Sequence, residues 1–535
     1  MQKKIITHSL LFFVIFLCVI TSGKNVLSQD IGGADFSARP ILEKHQTNDK
    51  TGYWWLDVQP GEEINLEIQI NNGKQKNTFD ITSNQAVTNP NFVIDYGLKK
   101  EEAHKYLSGT KLFDFYNNVF IGDNKNPGSK TIVLQAGESK KVPIKIKIPD
   151  SWKNNISIGG INVTRRATEE EKGQSLVNIY SSAFALILQS GRQDNSFSVS
   201  LSAADLKTDE QSIRLQNSKD TLQEKTKLQA TIKDQKGILY SSLDYSSGTI
   251  VPYAKIDLPL NVKKELEKGN EYELSIKATK EDKTLKETYL LKVDDKGKVQ
   301  VTSELTPQKN KSFPLIMLIL AALAIGGAGI IIYVKKKRKG KNEREKMKGK
   351  MRNLILISLM TSAIWQQHGT QADTEIDKDN GSANTYITVT APTTDNLYLT
   401  QAPDFNFANT EASTKDSITT RGTVPYSIVD ITGNANGYNL QQKISDFTGT
   451  IDGKATTLPL KFFKITVADN ASGTIKGSNA VNVLGQAGRV LTGQTNAQGN
   501  QSSGAATAEI QLDSTQTIKP GAYQATLTHT LVQGL

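Results

Sequence analysis

The chain has 535 residues, a formal net charge of +10 and a single cysteine, Cys18. One cysteine excludes a disulfide framework, so any exported part of the chain must be held together by buried apolar cores. Residues 335–352 carry 11 Lys and Arg against 2 Glu, which is nine of the ten net charges and leaves no basic surface spread over the rest.

The chain opens on a secretory leader at residues 1–28. MQKK is a positive start, residues 5–20 are an apolar run, and Ser22, Gly23 and Ser28 are the small residues at which a signal peptidase cuts. The mature chain is expected to begin near Gln29 and to face outside. Cys18 sits within the apolar run behind Leu17, where a lipid-modified cysteine would follow a small residue, so lipid anchoring is not expected.

Alternating apolar residues separated by turn signals follow, the pattern of β-sandwiches. In YWWLDVQPGEEINLEIQINNG, Trp54, Leu56 and Val58 alternate, Pro60 and Gly61 turn the chain, and Ile64, Leu66, Ile68 and Ile70 alternate again. The two runs are expected to form a hairpin with one buried face. TIVLQAGESKKVPIKIKIPD repeats the arrangement, with its turn at Gly137. In ISIGGINVTRR the paired Gly159 and Gly160 suggest a bend or bulge where a first sandwich closes. ATEEEKGQS reads as a loop and NIYSSAFALILQSG as a strongly buried strand. KLQATIKD, AKIDLPLNV and YELSIKAT are strands of a second module, with turns at DQKG and EKGN. The expected layout is two Ig-like β-sandwich domains, residues 30–165 and 170–305.

Residues 313–334, FPLIMLILAALAIGGAGIIIYV, carry no charge and are long enough for a transmembrane helix across about 30 Å of hydrocarbon. The basic segment 335–350 directly after it is a positive-inside signal and is assigned to the cytoplasm. No LPxTG sequence precedes the span, so retention is expected through the membrane.

A second beginning follows. Residues 351–372 comprise MRN, a short apolar run, and Thr370 and Ala372 as a cleavage site before Asp373, a second signal-peptide-like segment. Residues 373–535 are rich in Thr, Asn, Ala and Gly, carry a net charge of −4 by count, and read as a further β-sandwich-like domain. The overall fold class is thus all-β with one transmembrane helix. A complete leader has no structural use in mid-chain, so the chain is read as two functional units joined.

FSARPILEKHQTNDKTGYWWLDVQPGEEINLEIQINN, AVTNPNFVIDYG, VLQAGESKKVPIKIKIPD and SIGGINV resemble the peptidoglycan-binding domain of WxL-interacting surface proteins of Gram-positive bacteria. LQATIKDQKGILYSS, TIVPYAKIDLPL and LEKGNEYELSIKAT are similar to that family's host-binding domain. LYLTQAPDFNFAN, VPYSIVDITGNANGYNLQQKISDF and KPGAYQATLTHTLVQGL resemble a small WxL-domain wall-binding protein. Where that family has its two Trp-x-Leu motifs, this chain has Tyr438-Asn439-Leu440 and His529-Thr530-Leu531.

These resemblances imply peptidoglycan, a WxL-domain protein and a host extracellular-matrix protein as partners, with the two halves of the chain as a partner pair. They also imply a bacterial cell-surface location, with membrane-anchored extracellular N-terminal domains and an exported, wall-associated C-terminal domain.

Position parity sets Trp54 on the core face and Trp55 beside Asp57 on the other, where it either stacks on a sugar or partner strand or packs beneath a neighbouring loop or domain. Tyr53 and Asn89 join Trp55 as candidate partner or glycan contacts. Tyr438, Leu440, His529 and Leu531 are read either as ligand contacts or as core. The five histidines are scattered, no cysteine survives processing, and DITGNANG lacks the terminal Glu of a calcium loop, so no catalytic residue, metal or cofactor is expected. A nucleic-acid partner is not expected either. A cell-wall carbohydrate-active enzyme working through two carboxylates remains the alternative.

Overall fold

The structure is a computed structural model that describes residues 33–304 and 397–534, with breaks at 43–45, 48–51, 110, 124, 192–195, 413, 415 and 433–436. Both leader segments, the apolar span and the basic segment lie outside the described residues. Among the described residues no helix is long and apolar enough to cross a membrane. The described strands, from both the earlier and the later described segments, belong to one compact unit.

The first part contributes β1 (Phe36–Ile41), β2 (Trp54–Asp57), β3 (Glu63–Asn72), β4 (Asn77–Gln85), β5 (Val87–Thr88), β6 (Ile94–Asp95), β7 (Val119–Ile121), β8 (Ser129–Leu134), β9 (Ser139–Lys147), β10 (Asn155–Arg165) and β11 (Leu176–Ser190). One sheet has the order β1-β3-β9-β7, and β8-β4-β10-β11 form the other, with β2 beside β11. Their facing residues share one core, from Trp54 and Leu56 to Ile68, Phe79, Ile144 and Leu186.

The expected hairpin does not form. β2 pairs in parallel with β11, whereas β3 pairs with β1 and β9, so the chain crosses between the two sheets at Pro60 and Gly61. β8 and β9 are likewise divided, β8 pairing with β4 and β9 with β3. The alternation identified the buried faces, since Trp54, Leu56, Val58, Ile64, Leu66, Ile68 and Ile70 are all buried. It carries no information on which strand lies alongside, and two strands on opposite sides of one core show the same alternation.

The expected bend at Gly159 and Gly160 is also absent. β10 pairs without interruption with β4 on one side and β11 on the other. These glycines leave room for aromatic rings: a Cβ on Gly159 would run into the Phe115 ring, and one on Gly160 into Tyr96.

The second part contributes β12 (Ser200–Leu206), β13 (Gln211–Gln216), β14 (Gln223–Asp234), β15 (Leu239–Ile250), β16 (Lys255–Pro259), β17 (Asn261–Val262), β18 (Glu271–Lys280), β19 (Lys283–Val293) and β20 (Val299–Glu304). They form sheets β12-β13-β16 and β17-β15-β14-β18-β19-β20. Their core continues onto the outer face of the first part through Ile158, Ala183, Ala185 and Ile187. β11, placed by sequence within residues 170–305, is therefore shared: its 11-residue ladder to β10 makes it a strand of the first sandwich, and its outer face packs on the second part.

The C-terminal part contributes β21 (Leu397–Gln401), β22 (Ile418–Arg421), β23 (Ser427–Asp430), β24 (Tyr438–Ile444), β25 (Thr448–Ile451), β26 (Lys454–Thr457), β27 (Leu460–Val467), β28 (Ile475–Gly477), β29 (Val481–Asn482), β30 (Gly488–Gly493), β31 (Gly499–Ser502), β32 (Ala506–Leu512) and β33 (Ala525–Gln533). Its sheets are β21-β23-β31, β22-β32-β27-β29 and the pair β25-β26. The remaining strands, β28-β30-β24-β33, continue the sheet of the first part through β11.

The close approach at β10 gives a direct test. Gly159→Ala should lower stability by about 1–3 kcal/mol, because its methyl group displaces a ring in a filled core. Chemical denaturation followed through the tryptophans reads this out, and an unchanged midpoint would contradict the packing described.

Candidate partner interface

β11 is the longest described strand, with 15 residues, and it has two edges to satisfy. β10 fills one. The other is divided, since β2 pairs only with Leu186 to Gln189. Within the N-terminal half, residues 176–184 would present an open ladder edge. In the assembled chain the strand is buried, and each buried backbone group left unpaired there would cost about 1–3 kcal/mol. β33 fills this edge in parallel, from Leu176 opposite Ala525 to Phe184 opposite Gln533.

The two motif-like triplets lie together at this seam. β24 pairs antiparallel with β33, setting Leu440 opposite Leu531 and Gln442 opposite His529. Tyr438, Leu440, His529 and Leu531 are 3%, 0%, 1% and 4% exposed, so all four face the interior and present no surface to an outside ligand.

His529 is polar among apolar neighbours and is satisfied from both halves. Its Nε2 lies 2.9 Å from Asn178 Oδ1 of β11, and its Nδ1 lies 2.8 Å from Gln442 Nε2 of β24. The Gln442 amide also donates to the Tyr426 hydroxyl at 2.6 Å, and Asn178 donates to Asp404 at 3.0 Å. The imidazole stacks on Tyr180, with centroids 5.3 Å apart and planes 16° apart, and Tyr426 lies tilted at 6.2 Å. Arg165 approaches the Tyr180 ring at 5.3 Å and is itself held by two hydrogen bonds to Glu171. With Nδ1 accepting from Gln442 and Nε2–H donating to Asn178, the ring is neutral, and burial pushes its pKa down to about 3.

Asn89 belongs to a second contact. It is 1% exposed and donates to the Ala487 carbonyl of the C-terminal part at 2.7 Å. Asn91 donates to Asn482 and Ala487, and Gln441 donates to Ile94 at 3.0 Å. The same turn meets the second part, where Tyr245 donates to the Pro90 carbonyl and stacks on Phe92 at 5.3 Å. Asp95 is buried in this corner with its Oδ2 unpartnered, and burial raises its pKa.

Trp55 lies elsewhere, between the first and second parts, and Tyr53 lines a separate cavity with Phe92, Glu224, Gln441 and Arg489. Tyr53 is buried, and burial with Glu224 nearby pushes its hydroxyl up to about 12. Trp55 is half-buried, donates to Gln189 Oε1 at 3.3 Å, and lines a cleft of ≈ 1210 Å3 with Phe197, Leu222, Glu224 and Lys280. The structure therefore groups Tyr438, Leu440, His529 and Leu531 at the seam, places Asn89 and Tyr53 at its flank, and keeps Trp55 apart. Asn178, Tyr180 and Gln442 escaped the sequence reading because their roles exist only once β11, β33 and β24 are aligned. Among the described residues no group of His, Cys, Asp or Glu could hold a metal ion.

Residues 36–165 match the family model described as the WxL Interacting Protein, peptidoglycan binding domain. The match runs from the first residue of β1 to the last of β10 and includes Tyr53, Trp55 and Asn89. No curated protein matches the chain. Among solved structures, similarity extends to the CupB2 chaperone of Pseudomonas aeruginosa, at 8% identity over 46% of this chain and 93% of that one, with a TM-score of 0.21. A complex of the Salmonella enterica SafA pilin with its SafB chaperone follows, at 10% identity, 43% and 97% coverage and a TM-score of 0.20. A family 123 glycoside hydrolase from Clostridium perfringens aligns at 17% identity over 29% of this chain and 27% of that one, with a TM-score of 0.18. At these TM-scores none of the three carries an argument about this chain.

The neutral His529 predicts how the seam responds to acid. Its pKa is lower in the closed structure than in the open chain, so the open state takes up the proton. The stabilisation is complete above about pH 6.5 and is lost as pH falls toward 3, by up to about 1.4 kcal/mol per pH unit. Asp95, with its raised pKa, acts in the opposite sense, so the contribution of His529 is isolated with His529→Gln. Amide exchange of residues 525–533 in the full chain should accelerate between pH 6 and pH 4 beyond intrinsic chemistry, and less so in His529→Gln. Identical pH dependence in both proteins would contradict the assignment.

Proposed function

We propose that this protein is a noncatalytic cell-surface scaffold that binds peptidoglycan and holds a WxL-type partner, here its own C-terminal half. The family match over residues 36–165 supports the wall-binding role. The observation that carries the partner reading is the parallel β11–β33 ladder, by which the last strand of the C-terminal part completes an edge that the N-terminal half leaves open. In this reading the apolar span at 313–334 anchors the assembly. Cleavage in the second leader-like segment leaves the two halves associated through the seam, as separate products joined in one chain. The second part contacts a host matrix protein, in line with the resemblance of its strands. Trp55 serves wall recognition at the cleft between the first two parts, where its aromatic face lies beside Glu224 and Lys280.

Sedimentation with purified peptidoglycan tests this reading. The full chain, cut by a protease site introduced within residues 351–372, should pellet with both pieces together and release no sugar. Trp55→Ala should weaken retention by about 1–3 kcal/mol when assayed at a temperature where its melting curve shows the variant fully folded. A C-terminal piece left in the supernatant would sink the partner reading, and sugar release abolished by one carboxylate substitution would establish the carbohydrate-active enzyme instead.

A further inference from the structure

The inward face of β33 carries Leu527, His529 and Leu531 at two-residue spacing, and all three are buried. Apolar alternation alone does not fix where such a strand stops along β11, because a slip of two residues leaves the same face inward. What a slip changes is the polar partner. At the observed register Asn178 Oδ1 receives the imidazole Nε2–H, whereas after a two-residue slip in either direction the position of His529 is taken by Leu527 or Leu531. Asn178 would then be buried against an aliphatic side chain, and the imidazole Nε2–H, still held at Nδ1 by Gln442 of its own half, would lose its acceptor.

We infer that Asn178 and His529 form a selectivity key. The open edge of β11 accepts a parallel strand that presents a neutral hydrogen-bonding ring at this register, and it rejects strands that present an aliphatic or purely aromatic residue there. This deepens the partner reading and rests on it.

Three features make the pair discriminating. Both residues are almost fully buried, at 8% and 1% exposure, so water cannot replace a missing partner. The ring is clamped between Tyr180 of β11 and Tyr426 of the C-terminal part, which fixes its plane and the direction of its N–H. The two hydrogen bonds come from different halves, so the key is complete only when the halves are together. The second bond of Asn178 goes to Asp404, which is exposed, so an apolar residue at 178 sacrifices little besides the contact with the imidazole.

A mismatch and rematch experiment on the full chain tests the key. Amide exchange is followed over residues 176–184 and 525–533, with β14 and β18 as an internal reference. His529→Phe strands Asn178 Oδ1, with the Gln442 amide keeping its bond to Tyr426, and Asn178→Leu strands the imidazole Nε2–H; each alone should speed exchange at the seam about tenfold or more. The double variant replaces both partners by apolar groups and should recover at least half of the loss on a logarithmic scale. Single variants with unchanged exchange, or a double variant as fast as the two losses multiplied, would overturn the key. If a single variant also loses protection in β14 and β18, recovery of the whole chain in the double variant supports the key and absence of recovery refutes it. Halves that co-sediment after cleavage while the single variants exchange normally would refute the key and leave the partner reading standing.

Discussion

The constraint on which the rest of this structure depends is the second edge of β11. A 15-residue strand that is buried on both faces cannot leave backbone donors and acceptors open to nothing, and the N-terminal half supplies only the four residues of β2 to cover that edge. β33 supplies the remainder. From this one requirement follow the sheet that runs through both halves, the position of β24 beside β33, and the apolar core that extends from Trp54 in the first sandwich to Phe463 in the C-terminal part.

Backbone pairing brings the halves together, but it does not choose between strands. The choice is made by side chains whose hydrogen bonds cross the seam: Asn178 to His529 on the ladder itself, and Asn89 and Asn91 to the Ala487 carbonyl at its flank. The turn holding Asn89 also touches the second part through Pro90 and Phe92. The cleft beside Trp55 lies between the first and second parts, and the seam lies on the far portion of the β11 edge.

Much of this was legible in the sequence, in a particular way. Two-residue alternation identified the buried side of β2, β3 and β9 residue by residue, because burial of a strand face is a local property of spacing. Neighbour relations were not legible. β2 and β3 looked like a hairpin and belong to different sheets, and Gly159–Gly160 looked like a bend and instead admits Phe115 and Tyr96. The triplets at 438–440 and 529–531 could be found by resemblance, whereas their pairing joins Leu440 to Leu531 and the part played by Asn178 joins it to His529, distant positions that no local pattern connects.

The central claim is that β33 lies parallel to β11 with Ser181 opposite Thr530. The native chain has only Cys18, in the leader, so introduced cysteines report without background. Paired Cα atoms within about 4.4–6.8 Å permit a disulfide. Ser181→Cys with Thr530→Cys should therefore oxidise to a crosslink that survives proteolytic cutting between residues 351 and 372, while Ser181→Cys with Thr526→Cys should not. Crosslinking of the displaced pair in preference to the aligned one, or of neither, would contradict the account.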